Sequence, residues 1–220
     1  MRVRLVGPWL AALFLALVLL PAPVPAASTA ASTAASKAAD TAAEQAAPAT
    51  AWSIDPAHCS VNFTVRHIFV KIPGRFASYS GTVRFDPRNL AGSLIDVRID
   101  VASIDTFVAK RDEDLRSADY FDAARYPEIR FTSGSIEHRG GSSYVARGKL
   151  TVKDVTQDFA MPFTYFGEKP SPIMPGKTVA GFESDFSVNL LAFHVGDGTA
   201  QKLGAMGRTA NVALYMELLR

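Results

Sequence analysis

Short runs in which apolar and polar residues alternate with a period of two recur along this chain, and they constrain its fold more than any other feature. Two of them are VNFTVR at residues 61–66 and IDVRIDV at residues 95–101. Successive side chains of a β-strand point to opposite faces, so such runs predict strands with one buried face. Further runs give about eight strands in all, and they contain Val83, Ile129, Leu150, Phe159, Phe182 and Val212.

Turn-forming residues separate these runs, among them Pro73 with Gly74 and Gly140 with Gly141. Antiparallel strands in this number either form a sandwich or close into a barrel that can hold one small ligand. One charged segment, KRDEDLRSA at residues 110–118, predicts a helix that lies across a barrel end. The predicted fold class is therefore all-β: an eight-stranded antiparallel barrel with a short helix near one end.

Three segments are predicted along the chain. Residues 1–26 are typical of a cleaved signal peptide, because Arg2 and Arg4 precede an apolar run that is too short for the roughly 20 residues of a membrane span. Residues 27–50 are rich in Ala, Ser and Thr and predict a disordered tether. Residues 51–220 form the predicted β-domain. A periplasmic or secreted location is the expectation.

Charge and cysteine content exclude two classes of protein. Removal of residues 1–26 takes two arginines from the 23 Lys and Arg and none of the 21 acids, leaving 21 of each. A nucleic-acid partner is therefore not expected, since it needs an excess of cations on one face. The only cysteine, Cys59, excludes an intramolecular disulfide.

Three ordered blocks of the β-domain resemble the YceI-like family. They are WSIDPAHCSVNFTVRHIFVKIPGRF at residues 52–76, SIDTFVAKRDEDLRSADYFDAARYPEIRFTS at residues 103–133, and GKLTVKDVTQDFAMPF at residues 148–163. The resemblance implies a lipocalin-like, extended antiparallel barrel, found in bacteria as a periplasmic or secreted protein. It also implies a polyisoprenoid or related long-chain amphiphilic lipid in the lumen.

Large apolar residues on alternating positions predict the lumen wall, although plain core packing is the alternative for each of them. The predicted apolar contacts are Phe63, Val65, Phe76, Phe85, Val97, Ile99, Phe131, Leu150, Phe163, Phe182, Phe186 and Leu214. The residues expected to meet a polar headgroup are His58, Arg66, His67, Arg111 and Arg116. Structural pairing with Asp105 or Asp112 is the alternative for these five.

A metal-binding site, catalytic residues and other partners are weaker hypotheses for this chain than lipid binding. No metal site or catalytic residue is predicted, because His58 and His67 have opposite parity on one strand and Cys59 lacks the flanking glycines of a nucleophile elbow. The chain is thus expected to be a carrier or reservoir rather than an enzyme, with an isoprenoid-like lipid or quinone as ligand and no cofactor. A module that binds a quinone-linked membrane protein, a hydrolase and a homodimer stay open as alternatives.

Overall fold

Eleven β-strands of one antiparallel sheet contain the alternating runs in this computed structural model, which describes residues 48–220. The predicted signal peptide and nearly all of the predicted tether lie outside the described residues. The strands are β1 (Ala51–Ile54), β2 (Ser60–His67), β3 (Val70–Phe76), β4 (Tyr79–Arg84), β5 (Leu94–Asp100), β6 (Ile104–Asp105), β7 (Glu128–Gly140), β8 (Ser143–Val152), β9 (Val155–Pro170), β10 (Thr178–Asn189) and β11 (Met206–Leu219). The helices are α1 (Ala109–Arg116) and α2 (Thr199–Lys202), with 3₁₀ turns at Val101–Ser103 and Leu191–Phe193.

The sheet closes on itself as a barrel with eight strand positions. β1 and β2 lie end to end along β11, because Ser53 is opposite Leu219 and Ser60 is opposite Tyr215. Their partners β4 and β3 are related in the same way, as are β5 and β6 in the next position. With each interrupted pair counted once, every strand position pairs with its neighbours in sequence, and β11 returns to β1. The predicted eight-stranded antiparallel barrel is confirmed.

The predicted turn at Pro73 and Gly74 is wrong. Both residues lie inside β3, where Pro73 is opposite Thr64 of β2. Proline is tolerated there because the far side of β3 pairs with β6 only at Arg75 and Phe76, so the missing N–H belongs to an open strand edge. The chain reverses instead at Ile68 and Phe69, two residues without turn propensity.

Connections at the two barrel ends differ in length. The end that we call the mouth carries the β2–β3 hairpin, the long segment 101–127, and the segment 190–205. The predicted helix lies at this end as α1, where Arg116 donates a hydrogen bond to the carbonyl of Ile104 at 3.3 Å. The opposite end carries the connections 85–93, 141–142 and 171–177. None of the helices described in residues 48–220 is long and apolar enough to cross a bilayer.

An aromatic cluster fills the barrel at the end opposite the mouth, which we call the plugged end. Phe85 is at its centre, only 2% exposed, and it contacts four aromatic rings edge-on. Trp52 covers it and donates a hydrogen bond from Nε1 to the Phe85 carbonyl at 3.0 Å. Because large rings close this end, the larger empty space in the barrel lies nearer the mouth.

Candidate ligand-binding cavity

A cavity of about 340 Å³ occupies the mouth half of the barrel. This volume lies at the lower end of the roughly 300–1,000 Å³ that small-molecule sites occupy. Its walls are almost wholly apolar and come from strands all round the barrel, from α1, and from the long mouth connections. We call it the main cavity.

Strand register brings the wall residues to one level. Phe63 on β2 lies opposite Val212 on β11, which in turn lies opposite Phe186 on β10. All three point inward, because side chains at paired positions share a face of the sheet. Gly74 on β3 is opposite Phe63, and a Cβ at this glycine would collide with the Phe63 ring. The missing side chain therefore leaves room for that ring at the cavity wall.

Nine of the twelve apolar residues predicted for the lumen line the main cavity: Phe63, Val65, Phe76, Val97, Ile99, Phe131, Leu150, Phe186 and Leu214. The structure places the other three at the plugged end, where Phe85, Phe163 and Phe182 pack on one another with centroids 5.5 to 6.2 Å apart. They face inward as predicted, but their level along the barrel axis places them at the plugged end and away from the main cavity. Contact of any of the twelve with a ligand stays a prediction.

A smaller cavity of about 100 Å³ continues toward the plugged end. It shares four wall residues with the main cavity, namely Val61, Val97, Ile99 and Leu214. Phe85, Phe163 and Phe182 form its far wall. These four shared side chains therefore divide two apolar spaces that lie in line along the barrel.

Polar side chains reach the main cavity at the mouth, where Arg66, His67, Thr106 and Arg111 line it. Arg111 donates from Nε to Thr106 Oγ1 and from Nη2 to the Thr106 carbonyl, both at 2.7 Å. The buried Asp112 carboxylate accepts hydrogen bonds from the amide and hydroxyl of Thr106. This network fixes the guanidinium at the cavity edge and leaves some of its five N–H donors for a ligand.

Two predicted headgroup contacts, His58 and Arg116, do not line this cavity. His58 lies beside Asp55, with Nδ1 2.8 Å from the carboxylate, and Arg116 bonds to backbone carbonyls of the 101–105 segment. The hydrogen bond between His58 and Asp55 raises the pKa of His58 and lowers the pKa of Asp55. Neither Asp105 nor Asp112 forms an ion pair with any of the five predicted headgroup contacts. Asp105 pairs with Arg75, and Asp112 bonds to Thr106.

One group of potential metal ligands is present in the described residues, although no metal site was predicted. Asp55, His58 and Glu217 each place a ligand atom within 4.8 Å of the others. The contact between His58 and Asp55 already uses one nitrogen and one carboxylate oxygen. Cys59 donates from Sγ to the Glu217 carbonyl at 3.1 Å, and burial raises the pKa of its thiol. A protonated thiol is a poor nucleophile, which is the opposite of catalytic activation.

Several wall residues escaped the sequence prediction because they lie in connections. Tyr120, Phe121, Phe193 and Val195 line the main cavity from segments without regular alternation. Others, such as Phe159, lie on strands whose alternation was recognised but whose lumen contact was not predicted. Thr106 stands in the second family block, and only that resemblance could have drawn attention to it.

A domain model described as YceI-like matches residues 52–218. A UPF0312 protein of Photorhabdus laumondii is 33% identical over 164 residues, which are 74% of this chain and 82% of that protein. The crystal structure of BcnA from Burkholderia cenocepacia superposes with a TM-score of 0.67 at 26% identity, and covers 76% of this chain and 99% of that one.

A second similar structure is a polyisoprenoid binding domain from Saccharophagus degradans, implicated in plant cell wall breakdown. It superposes with a TM-score of 0.56 and covers 76% of this chain and 97% of its own. At 16% identity the likeness shows a shared fold.

Proposed function

This chain belongs to the YceI-like family, and from that premise we propose that it is an exported lipid-binding protein that carries or stores one long-chain amphiphile. The tail lies in the main cavity, and the headgroup lies at the mouth near Arg66, His67 and Arg111. The observation that carries the proposal is the distribution of polarity in the main cavity: its walls are apolar along the barrel axis, and its cationic side chains, Arg66 and Arg111, lie at the mouth. An amphiphile has the matching distribution, with a long apolar tail and a polar headgroup at one end.

The energetics favour binding without chemistry. Burial of one methylene contributes roughly 0.8 kcal/mol, so a tail of about ten such groups gains about 8 kcal/mol before the costs of association. The polyisoprenoid binding domain of S. degradans, which shares the fold, supports an isoprenoid-like ligand. A quinone with such a tail fits the same division of polarity. Residues 1–26, read as a signal peptide, support export.

A blocking substitution tests the proposal. Val212 faces the main cavity from the middle of β11, and an indole at this position would occupy space that the tail needs. The Val212→Trp variant should therefore lose binding of a polyprenyl phosphate or a quinone by at least about tenfold, since several methylenes would lose their burial. Calorimetric titration of the lipid-free protein measures this directly.

The matched control places the same indole on the outer face of the same strand. Asn211 is exposed, and its contact with the Ser187 hydroxyl is also exposed, so Asn211→Trp costs little. This variant should bind like the native protein. Equal affinity of native protein, Val212→Trp and Asn211→Trp would place the ligand outside the barrel and overturn the proposal.

A further inference from the structure

Five large apolar side chains in the mouth connections project into solvent. Phe69 is 87% exposed and Leu203 is 77% exposed, and a cluster of such side chains, rather than any single one, marks an interaction surface. Together with Ile68, Phe107 and Val108 they form what we call the mouth rim. The rim comes from three separate connections, so it is a property of this barrel end rather than of one loop.

Hydrogen bonding and register hold these three connections close together. The amide of Ile68 donates to the carbonyl of Ala205, two residues from Leu203, at 3.0 Å. Arg75 lies opposite Asp105 and places its guanidinium 5.8 Å from the centroid of the Phe107 ring. The hairpin and the Leu203 connection are therefore adjacent, and Phe107 lies beside β3 of the same hairpin.

The backbone displays the rim at a conformational cost. Ile68 has a φ of 52° at the first position of a two-residue hairpin turn, where glycine is usual. Phe107 has a φ of 65°. A β-branched or aromatic residue is strained in this left-handed region. These positions therefore hold apolar side chains in solvent where a small or polar residue would be more stable.

The rim is continuous with the main cavity. Arg66 and His67, which precede Ile68, line that cavity, as does Met206 on the strand that follows the Leu203 connection. Thr106, which precedes Phe107, and Arg111, which follows Val108 in the chain, also line the main cavity. A surface that covered the rim would therefore face the cavity entrance.

Cations flank the hairpin and the Leu203 connection, whereas the third connection has mixed charge. Arg66 and Lys71 lie on either side of the hairpin turn, and Lys202 precedes Leu203 in a connection whose one acid is Asp197. Residues 101–127 contain six acids and four cations. Within residues 48–220, neither Arg66 nor Lys71 takes part in an ion pair. Cations beside exposed aromatic and aliphatic side chains are the combination that binds an anionic lipid interface.

We propose that the mouth rim docks on the surface of a bilayer with anionic headgroups, with Phe69 and Leu203 inserted below the headgroups and Lys71 and Lys202 against the phosphates. Docking turns the cavity entrance toward the acyl region, so an amphiphile moves between bilayer and barrel without crossing water. The docking itself needs no particular ligand and stands apart from the identity of the lipid in the lumen.

Co-sedimentation with vesicles tests the docking on protein purified from its host. Vesicles of equal parts phosphatidylglycerol and phosphatidylcholine should bind the protein, and phosphatidylcholine vesicles should bind it more weakly. The F69S/L203S variant should lose at least about tenfold in affinity, because two large side chains no longer enter the interface. The K71E/K202E variant should lose more than fivefold for each cation, since each favourable contact becomes repulsive.

Matched controls come from the opposite barrel end. Ile173 is 71% exposed and Phe166 is 63% exposed on the β9–β10 hairpin, so F166S/I173S removes a comparable, somewhat smaller exposed apolar surface. The exposed Lys169 and Lys177 lie on the same hairpin, and K169E/K177E reverses as many charges. Both control variants should bind vesicles like the native protein. An equal loss in the controls would show unspecific adhesion and overturn the proposal.

Insertion has its own signal. The fluorescence emission of the tryptophan introduced by F69W should shift to the blue when anionic vesicles are added. Lipids with brominated acyl chains should quench this emission. No vesicle binding by the native protein, or a tryptophan that stays in water, would overturn the docking proposal even if the barrel carries a lipid. Vesicle binding by a protein that takes up no amphiphile would leave the docking intact and remove the carrier proposal.

Discussion

Phenylalanines at the two levels of the barrel should differ sharply in their contribution to stability. Phe85 is nearly inaccessible and has the rings of Tyr144, Phe163, Tyr165 and Phe182 at centroid distances of 5.1 to 5.5 Å. A buried Phe→Ala substitution costs about 3–5 kcal/mol, and each favourable ring pair adds about 0.5–1.5 kcal/mol beyond its buried area. With four such pairs, Phe85→Ala should cost about 5 kcal/mol of unfolding free energy.

Phe186 is the matched case at the cavity level. It is half-buried, faces the main cavity, and has one ring neighbour, Phe159, at 5.1 Å. Because one side of its ring already faces empty space, truncation removes fewer contacts, and Phe186→Ala should cost about 2 kcal/mol in the lipid-free protein. Urea unfolding with an unchanged m-value measures both differences.

Bound lipid should stabilise the Phe85→Ala variant more than the Phe186→Ala variant. A ligand stabilises the native state in proportion to the logarithm of its concentration over the Kd. Phe186→Ala should lose part of that stabilisation because its ring no longer contacts the tail, whereas Phe85→Ala should keep more of it. Equal losses of unfolding free energy for the two variants in the lipid-free protein would show that Phe186 is packed as core. They would refute the distinction between the main cavity and the plugged end.

Three further predictions concern single groups. Replacement of Arg66, an exposed cation at the mouth, by Gln should weaken binding of a polyprenyl phosphate by about fivefold and leave a neutral quinone unaffected; equal losses for both ligands would argue against a headgroup contact. The raised pKa of His58 stabilises the native state fully below the ordinary pKa of 6.5, and this stabilisation is lost as the pH rises through the raised pKa. The lowered pKa of Asp55 stabilises the native state fully above the ordinary pKa of 3.8, and this stabilisation is lost as the pH falls through the lowered pKa. The difference in Tm between the native protein and His58→Gln should thus be greatest between those two pH values, and a difference that grows at alkaline pH would contradict the pairing. The intact mass of protein from its host should correspond to a chain that starts near residue 27, and retention of residues 1–26 would contradict cleavage.

Alternation predicted the strand positions because burial of one face imposes a period of two on every strand. It could not show that three positions are interrupted. The first break follows Ile54, where Pro56 lies in a turn and the Asp55 carboxylate accepts a hydrogen bond from the Ala57 amide. The break before Ile104 is a 3₁₀ turn whose cap is the Asp100 side chain. These are local hydrogen bonds without a periodic signature.

The level of a residue along the barrel axis was beyond the sequence for a similar reason. Phe63 and Phe85 both occupy inward positions, yet one lines the main cavity and the other fills the plug. Parity gives the face of a strand, whereas the level depends on register between strands. Residues from connections, such as Phe121, carry no parity at all, and only the folded chain brings them to the cavity.

Native mass spectrometry of the protein purified from its host, followed by organic extraction, tests the central claim most directly. The account predicts one long-chain amphiphile per chain, released on extraction and identified as an isoprenoid-like lipid or quinone. An empty protein that also fails to take up polyprenyl phosphates and quinones would contradict the claim that this barrel binds such a lipid.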